Sequence, residues 1–173
     1  MKTFLLFLIT TQFALKGFAQ NNNQNDYWIL FTDSASDKSG YKNQKGEIVI
    51  QLGKYPVCYT DTFKTYAFVL KYNLGFVAID KQENILYKVF PFDNGPDYIE
   101  DGLFRILKDN KIGYADGTTG KVIIEPRFAC AFPFENGIAK VSMNCKEKKD
   151  GEHNLWLSED WFYIDKSGKM IKK

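Results

Sequence analysis

"IGYADGTTGKVIIEPRFACAFPFENGIAKV", residues 112–141, decides the fold. Its apolar runs are short, and polar turn residues separate them. An Asp at the first position of a turn accepts backbone N–H bonds within that turn, and Gly at the last takes positive φ and starts the return strand. Asp116 and Gly120 are spaced for that reversal, and the Lys121-Val122-Ile123-Ile124 run that follows is rich in β-branched residues. Pro126 lacks an N–H donor and is expected to end the ladder. The stretch therefore reads as a tight β-hairpin, followed by Phe132-Pro133-Phe134 and an acidic, Gly-terminated segment that leads into Ile138-Ala139-Lys140-Val141.

Working outward, the same phrase recurs. "GYKNQKGEIVI" at 40–50, "GFVAIDKQENIL" at 75–86 and "FYIDKSGKMI" at 162–171 each carry an aromatic, an Asp or Asn, a polar turn and an apolar run. Asn43 to Gly46 and Asp165 to Gly168 share one turn length, while Asp80 to Asn84 and Asp116 to Gly120 read as one residue longer. A second marker, "TYAFV" at 65–69, "EDGLFRI" at 100–106 and "ENGIAKV" at 135–141, repeats after 37 and then 35 positions. Two markers with one period indicate a repeat array in which each unit packs on its neighbours. One interval breaks the pattern: Val69 to Phe76 is 7 positions and Ile106 to Tyr114 is 8, but Val141 to Tyr163 is 22. The excess is the charged stretch "NCKEKKDGEHNLWLSED" at 144–160, an insertion that a repeat scaffold tolerates and a natural place for a private function.

These residues resemble the WG repeat: Gly-aromatic, an apolar residue, Asp, a Gly turn, a basic or acidic residue before Val-Ile, Pro-x-aromatic, then Phe, acidic-x-Gly, and a closing apolar-Ala-basic-Val. The resemblance covers about residues 40–173 and is closest over the quoted stretch. It departs in its naming residue, since Trp stands only at Trp161, with Phe162 in place of Gly. Leu74-Gly75 and Ile112-Gly113 keep the Gly and lose the Trp, and Thr65 stands where later units have Gly102 and Gly137. The resemblance implies a β-rich repeat array, common in bacterial proteins, and brings no agreed activity or catalytic residues. The expected fold is mainly β: about three and a half antiparallel hairpin units with short irregular or helical connections. Residues 27–39, opening with Tyr27-Trp28-Ile29-Leu30-Phe31, are expected to cap one end, and lysines at 169, 172 and 173 to guard the other.

The N-terminus adds a destination. Lys2, an apolar run from Phe4 to Leu15 and Gly17-Phe18-Ala19 have the layout of a secretory signal peptide, residues 1–19, cleaved between Ala19 and Gln20. That run would span about 18 Å as a helix, short of the roughly 30 Å of a bilayer core. The expected product is a polar N-terminus at 20–26 and one domain at 27–173, exported to the periplasm, cell surface or exterior, with no transmembrane segment. Lys2 and Lys16 leave with the leader, so Lys and Arg fall from 23 to 21 against 21 Asp and Glu. A neutral chain argues against nucleic acid as a partner.

Chemistry is sparse. The single histidine, His153, lies in the charged insertion and reads as a solvated side chain. One His and three scattered Cys lack zinc spacing, and Gly113, Gly117 and Gly120 belong to a hairpin, not a phosphate loop. The acidic stretch at 93–102 lacks calcium-loop spacing and reads as turn chemistry. No cofactor, metal or catalytic residue is expected. Cys58 and Cys130 each precede a marker valine by 11 positions and read as buried apolar residues in one shared slot, too far apart to pair. Cys145 is close enough in sequence to reach Cys130 and tie the insertion down. Phe90, Phe92, Phe132 and Phe134 recur at matching places, which is what core packing predicts. Trp28, Tyr98 and Trp156 do not recur, so each is either a contact-surface residue or a core residue. The function expected is a non-catalytic scaffold or interaction module for an unknown protein or glycan. The alternative is a glycan or cell-wall hydrolase, or an enzyme inhibitor, with a site that sequence does not display.

Overall fold

The computed structural model describes residues 26–151 and 153–171. The leader, its Ala19–Gln20 boundary, most of the polar stretch at 20–26 and the last two lysines lie outside the described residues. In chain order the strands are β1 (Trp28–Asp33), β2 (Lys38–Asn43), β3 (Ile48–Ile50), β4 (Val57–Cys58), β5 (Thr62–Phe63), β6 (Ala67–Lys71), β7 (Gly75–Ile79) and β8 (Ile85–Val89). They continue as β9 (Pro91–Phe92), β10 (Gly95–Pro96), β11 (Leu103–Lys108), β12 (Lys111–Asp116), β13 (Val122–Phe128) and β14 (Cys130–Ala131). The chain closes with β15 (Ile138–Ser142), β16 (Lys146–Asp150), β17 (His153–Leu157), β18 (Phe162–Asp165) and β19 (Met170–Ile171). No helix occurs among the described residues, so the connections are irregular and not helical.

The strands form antiparallel meanders: β1-β2-β3, β6-β7-β8, β11-β12-β13 and β15-β18-β19. The segment leaving each meander pairs with the first strand of the next, β4 with β6, β8 with β11 and β14 with β15. Three meanders are well formed, and the last ends on the two-residue β19. β1 takes the place in the first unit that β6, β11 and β15 take in later ones. Residues 27–39 are thus a working part of the first unit, and β5 folds back to cover the outer edge of β1 at Trp28 and Ile29.

Turn chemistry explains each reversal. The side-chain Oδ1 of Asn43 accepts from Lys45 N and Glu47 N, both at 3.0 Å. Asp80 Oδ1 accepts from Gln82 N at 2.9 Å and Asn84 N at 2.8 Å. Asp116 Oδ1 accepts from Thr118 N at 3.1 Å and Thr119 N at 2.7 Å, and Asp165 Oδ1 from Ser167 N at 2.9 Å and Lys169 N at 3.0 Å. The left-handed position is Gly46, Gly120 or Gly168, but in the second unit it is Glu83, at φ 62°, and not Asn84. The Asp80 turn therefore has the Asn43 length, and only the Asp116 turn is longer. Glu83 holds this strained conformation because its carboxylate accepts from Lys54 Nζ at 2.6 Å and Tyr55 Oη at 2.8 Å in the preceding connection.

The repeat glycine has a steric cause. A Cβ on Gly113 would stand 2.4 Å from Ile124 O and 2.5 Å from Pro126 N, and one on Gly40 would stand 2.5 Å from Ile50 O. Gly113 sits where the third strand shifts register against the second, and Gly40 immediately precedes Tyr41, where the corresponding shift of the first unit begins. Pro126 occupies that irregularity within β13 and does not end the strand, which continues to Phe128. In the second unit Val77, opposite Val69, fills the slot that Gly113 fills opposite Ile106; Gly75 belongs instead to the β6–β7 turn at φ 80°.

Alternation along each strand assigns side chains to one neighbour or the other. Ala67, Val69, Val77 and Ile79 bury with Tyr41 and Ile50 of the first unit, while Phe68 and Ala78 bury with Phe104, Ile106 and Ala115 of the third. Leu103, Ile112, Tyr114, Ile124 and Phe128 then pack with Ala139, Val141 and Ile164 of the fourth. Each core thus joins successive units, the nearest-neighbour logic of a repeat array.

Candidate functional site

Between the third and fourth units lies a cleft of about 380 Å³ whose walls are rings. Its floor is an ion pair. Arg105 and Asp97 are 3% and 4% exposed. Asp97 Oδ2 accepts from the Arg105 backbone N at 2.7 Å and from Nε at 2.9 Å, and Oδ1 accepts from a terminal guanidinium nitrogen. The other terminal nitrogen donates to Ala131 O at 3.2 Å. All three guanidinium nitrogens are thus engaged within the protein. A bidentate, fully hydrogen-bonded arrangement is what a buried charge pair needs to offset its desolvation.

Local structure then aims the rings. Asp93 and Asn94, both at positive φ, close the tight β9–β10 hairpin, and Asp97 N donates to Phe90 O at 2.8 Å. This sets Phe90 under the Arg105 guanidinium, 4.1 Å from its carbon to the ring centroid, and leaves Phe92 against Tyr98 at 5.4 Å, edge to face. On the facing side, Tyr114 Oη donates to Phe132 O at 2.7 Å. Burial raises the Tyr114 pKa well above the ordinary phenol value, so this donor stays protonated. With the backbone at Ala131 and Phe132 fixed by these two donors, the Phe132 ring projects outward. Phe92, Tyr98 and Phe132 are 45%, 53% and 40% exposed. Glu100 and Glu135 line the rim. They hold equivalent places, each opening a two-residue turn, Asp101-Gly102 or Asn136-Gly137, with positive φ at both central residues, as a type I′ hairpin requires.

The insertion at 144–160 is a β-ribbon and not an irregular loop: β16 and β17 pair from Lys146–Leu157 to Asp150–His153. A disulfide between Cys130 and Cys145, with Cα atoms 5.9 Å apart, joins its base to β14, and Ser142 Oγ and Ser158 Oγ bond at 2.8 Å beside it. The ribbon lays Trp156 edge-on against Phe90 at 5.8 Å and Phe132 at 5.4 Å, extending the ring wall to Trp161, 5.5 Å from Phe132. A second hollow of about 510 Å³ at the ribbon's base has a mixed lining, with Asn144, Lys146, Ser158, Glu159 and Asp160 beside Leu157 and Cys145.

The sequence-derived residues divide as follows. Tyr98 stands on the cleft wall. Trp156 is half-buried behind that wall and supports it. Trp28 is half-buried elsewhere, packed on Phe63 at 5.1 Å in the first core, and takes no part in the cleft. Of the four matched phenylalanines only Phe134 is fully buried; Phe90 is half-buried, and Phe92 and Phe132 face solvent. Cys58 is a free, buried thiol whose pKa burial pushes up to about 11. It does not share a slot with Cys130: Cys58 lies opposite Val69, but Ala131, not Cys130, lies opposite Val141. That single-residue offset places Cys130 opposite Ser142, in reach of Cys145. His153 sits on β17, paired through the backbone with Asp150 and distant in register from Trp156. Arg105 and Asp97 escaped sequence reasoning, although a lone Arg within Leu103-Phe104-Arg105-Ile106-Leu107 marks a charge that must find a buried partner.

Residues 112–146 match the family model described as WG containing repeat. This span runs from β12 through β15 to the first residue of β16, and so supplies the Phe132 wall and the base of the ribbon. Comparison with curated proteins and with solved structures gives no match.

Proposed function

We propose that the chain is an exported, non-catalytic recognition module, and that the cleft between its third and fourth units holds a segment of a protein or glycan. The observation that carries this reading is the set of exposed rings, Phe92, Tyr98 and Phe132, fixed by a buried ion pair whose own groups are used within the fold. Exposed aromatic side chains on a rigid frame contribute contact area at little entropic cost, which is the character of binding hot spots. Export rests on the layout of residues 1–20, and cell fractionation of the natural chain tests it.

The binding experiment is a peptide and oligosaccharide array probed with the purified chain. Phe132→Ala and Tyr98→Ala should each lower retained signal severalfold, while Tyr72→Ala, a highly exposed ring in the β6–β7 turn, should not. The catalytic alternative rests on Glu100 and Glu135, the carboxylates at the rim. Turnover of a cell-wall or glycan substrate that disappears in Glu100→Gln or Glu135→Gln would replace the recognition reading with an enzymatic one.

A further inference from the structure

We infer that the cleft takes a cationic side chain, an arginine or lysine presented on an extended segment of a protein partner. The inference rests on the recognition reading and specifies its ligand. Among the charged residues lining the cleft, Asp97 and Arg105 neutralise each other, which leaves Glu100 and Glu135 as unbalanced negative charge at the rim. Phe92, Tyr98 and Phe132 line the cleft together with those carboxylates, and Arg105 lies over the Phe92 ring at 5.7 Å. A ring face attracts cations through its quadrupole, and a carboxylate accepts hydrogen bonds without donating any.

Hydrogen-bonding capacity points the same way. Three of the five guanidinium N–H donors on the floor are held by Asp97 and Ala131 in a buried position, and among the exposed side chains lining the cleft the Tyr98 hydroxyl alone can donate to a ligand. Such a lining suits a group that brings only donors. Guanidinium and ammonium do; a neutral sugar brings as many lone pairs as protons, and an anion would meet two carboxylates. The fold already uses this recognition on itself, with Arg105 over Phe90 at 4.1 Å and Lys140 Nζ over Trp161 at 4.7 Å. Lys140 Nζ also lies 5.9 Å from the Phe132 ring centroid, and it stands closer to Trp161. At about 380 Å³ the cleft is near the lower end of ligand-site sizes, which fits a side chain and not a folded surface.

The test is fluorescence anisotropy of three labelled heptapeptides titrated with the purified chain: Gly-Ser-Arg-Gly-Arg-Ser-Gly, the same peptide with both arginines replaced by citrulline, and the same with both replaced by Glu. Chitotetraose serves as a neutral competitor. The arginine peptide should bind, the citrulline peptide about tenfold more weakly or worse, and the Glu peptide not at all. The double variant Glu100→Gln/Glu135→Gln should weaken the arginine peptide about fivefold to tenfold, as loss of two partly exposed charge contacts implies. Both sites are exposed, and an unchanged Tm shows that the fold is intact. Equal binding of the arginine and citrulline peptides overturns the cationic inference and leaves the recognition module standing. Chitotetraose binding that needs Phe132, without arginine-peptide binding, overturns it in favour of a glycan. If the natural chain binds none of these probes the inference also fails, and the array measurement then decides the recognition reading separately.

Discussion

Replacing Asp97 by Ala tests the physical argument for the cleft most severely. In the folded chain its two oxygens take the Arg105 backbone N–H, Nε and one terminal nitrogen, all within a site from which water is nearly excluded. Removing the carboxylate strands a buried guanidinium, a change that costs about 3–5 kcal/mol, and leaves a buried backbone N–H without its acceptor. With a urea dependence of about 2 kcal/mol per molar for a domain of this size, the unfolding midpoint should fall by about 2 M. Total stabilities are only about 5–15 kcal/mol, so the variant should approach the edge of folding. The assay is equilibrium urea unfolding followed by tryptophan fluorescence, with Arg105→Met and the double variant Asp97→Leu/Arg105→Met completing a cycle. The double variant should lose less than either single variant, because it leaves no uncompensated charge. A midpoint drop below about 0.5 M for Asp97→Ala, or losses that simply add, would refute the claim that this pair is the floor on which the rings are mounted.

Three further outcomes follow from named contacts. Gly113→Ala should destabilise by about 3 kcal/mol in the same urea assay, since its Cβ meets backbone atoms that cannot give way, whereas Gly102→Ala, with no atom within 4 Å but φ at 83°, should cost about 1–2 kcal/mol. Cys145→Ser should speed hydrogen exchange in β16 and β17 while leaving β11 and β12 protected, and native Cys58 should resist thiol reagents at neutral pH until the chain unfolds. Stability against pH should be flat in the middle and fall at both ends. Hydrogen bonds hold Asp33, Asp101, Asp116 and Asp165 below the usual carboxylate range, so their contribution is complete above about pH 4 and is lost as pH falls through the lowered values. Burial raises Tyr66 to about 12 and raises Tyr41, Tyr55, Tyr87 and Tyr114 further, so their contribution is complete below about pH 10 and declines above it. A Tm that already fell between pH 6 and 9 would contradict the assignment.

The hairpin turns were legible in the sequence because their chemistry is local. Asn43, Asp80, Asp116 and Asp165 each bond backbone N–H groups within four residues, and the side chains that do so can be recognised by type. Legibility failed where a single-residue shift decides which face a side chain takes. Phe92 and Phe132 share the spacing of core residues, yet Phe92 on the short β9 and Phe132 in the irregular segment after β14 both face solvent. Cys58 and Cys130 share a distance to their marker valines, yet the pairing of β14 with β15 slips by one and sends Cys130 toward Cys145. The Asp97–Arg105 pair was hidden for another reason. Phe68 and Lys140 occupy the place of Arg105 in the neighbouring units, so the repeat pattern gives that position no fixed character. Its partner lies eight residues upstream, in an acidic stretch whose composition signals only turn chemistry.

The order of strand pairing also bears on how the chain is made. Nearly every ladder joins a strand to the next long strand along the chain, and the farthest partner is β5, which must return to β1. The ladders themselves close short loops, which limits the entropy lost in bringing strands together. A polypeptide delivered N-terminus first can complete one meander before the next has emerged, each fresh unit condensing on a surface already in place. The covalent clasp at Cys130 forms only after residue 145 arrives, so the wall of rings is completed after the first three units have emerged.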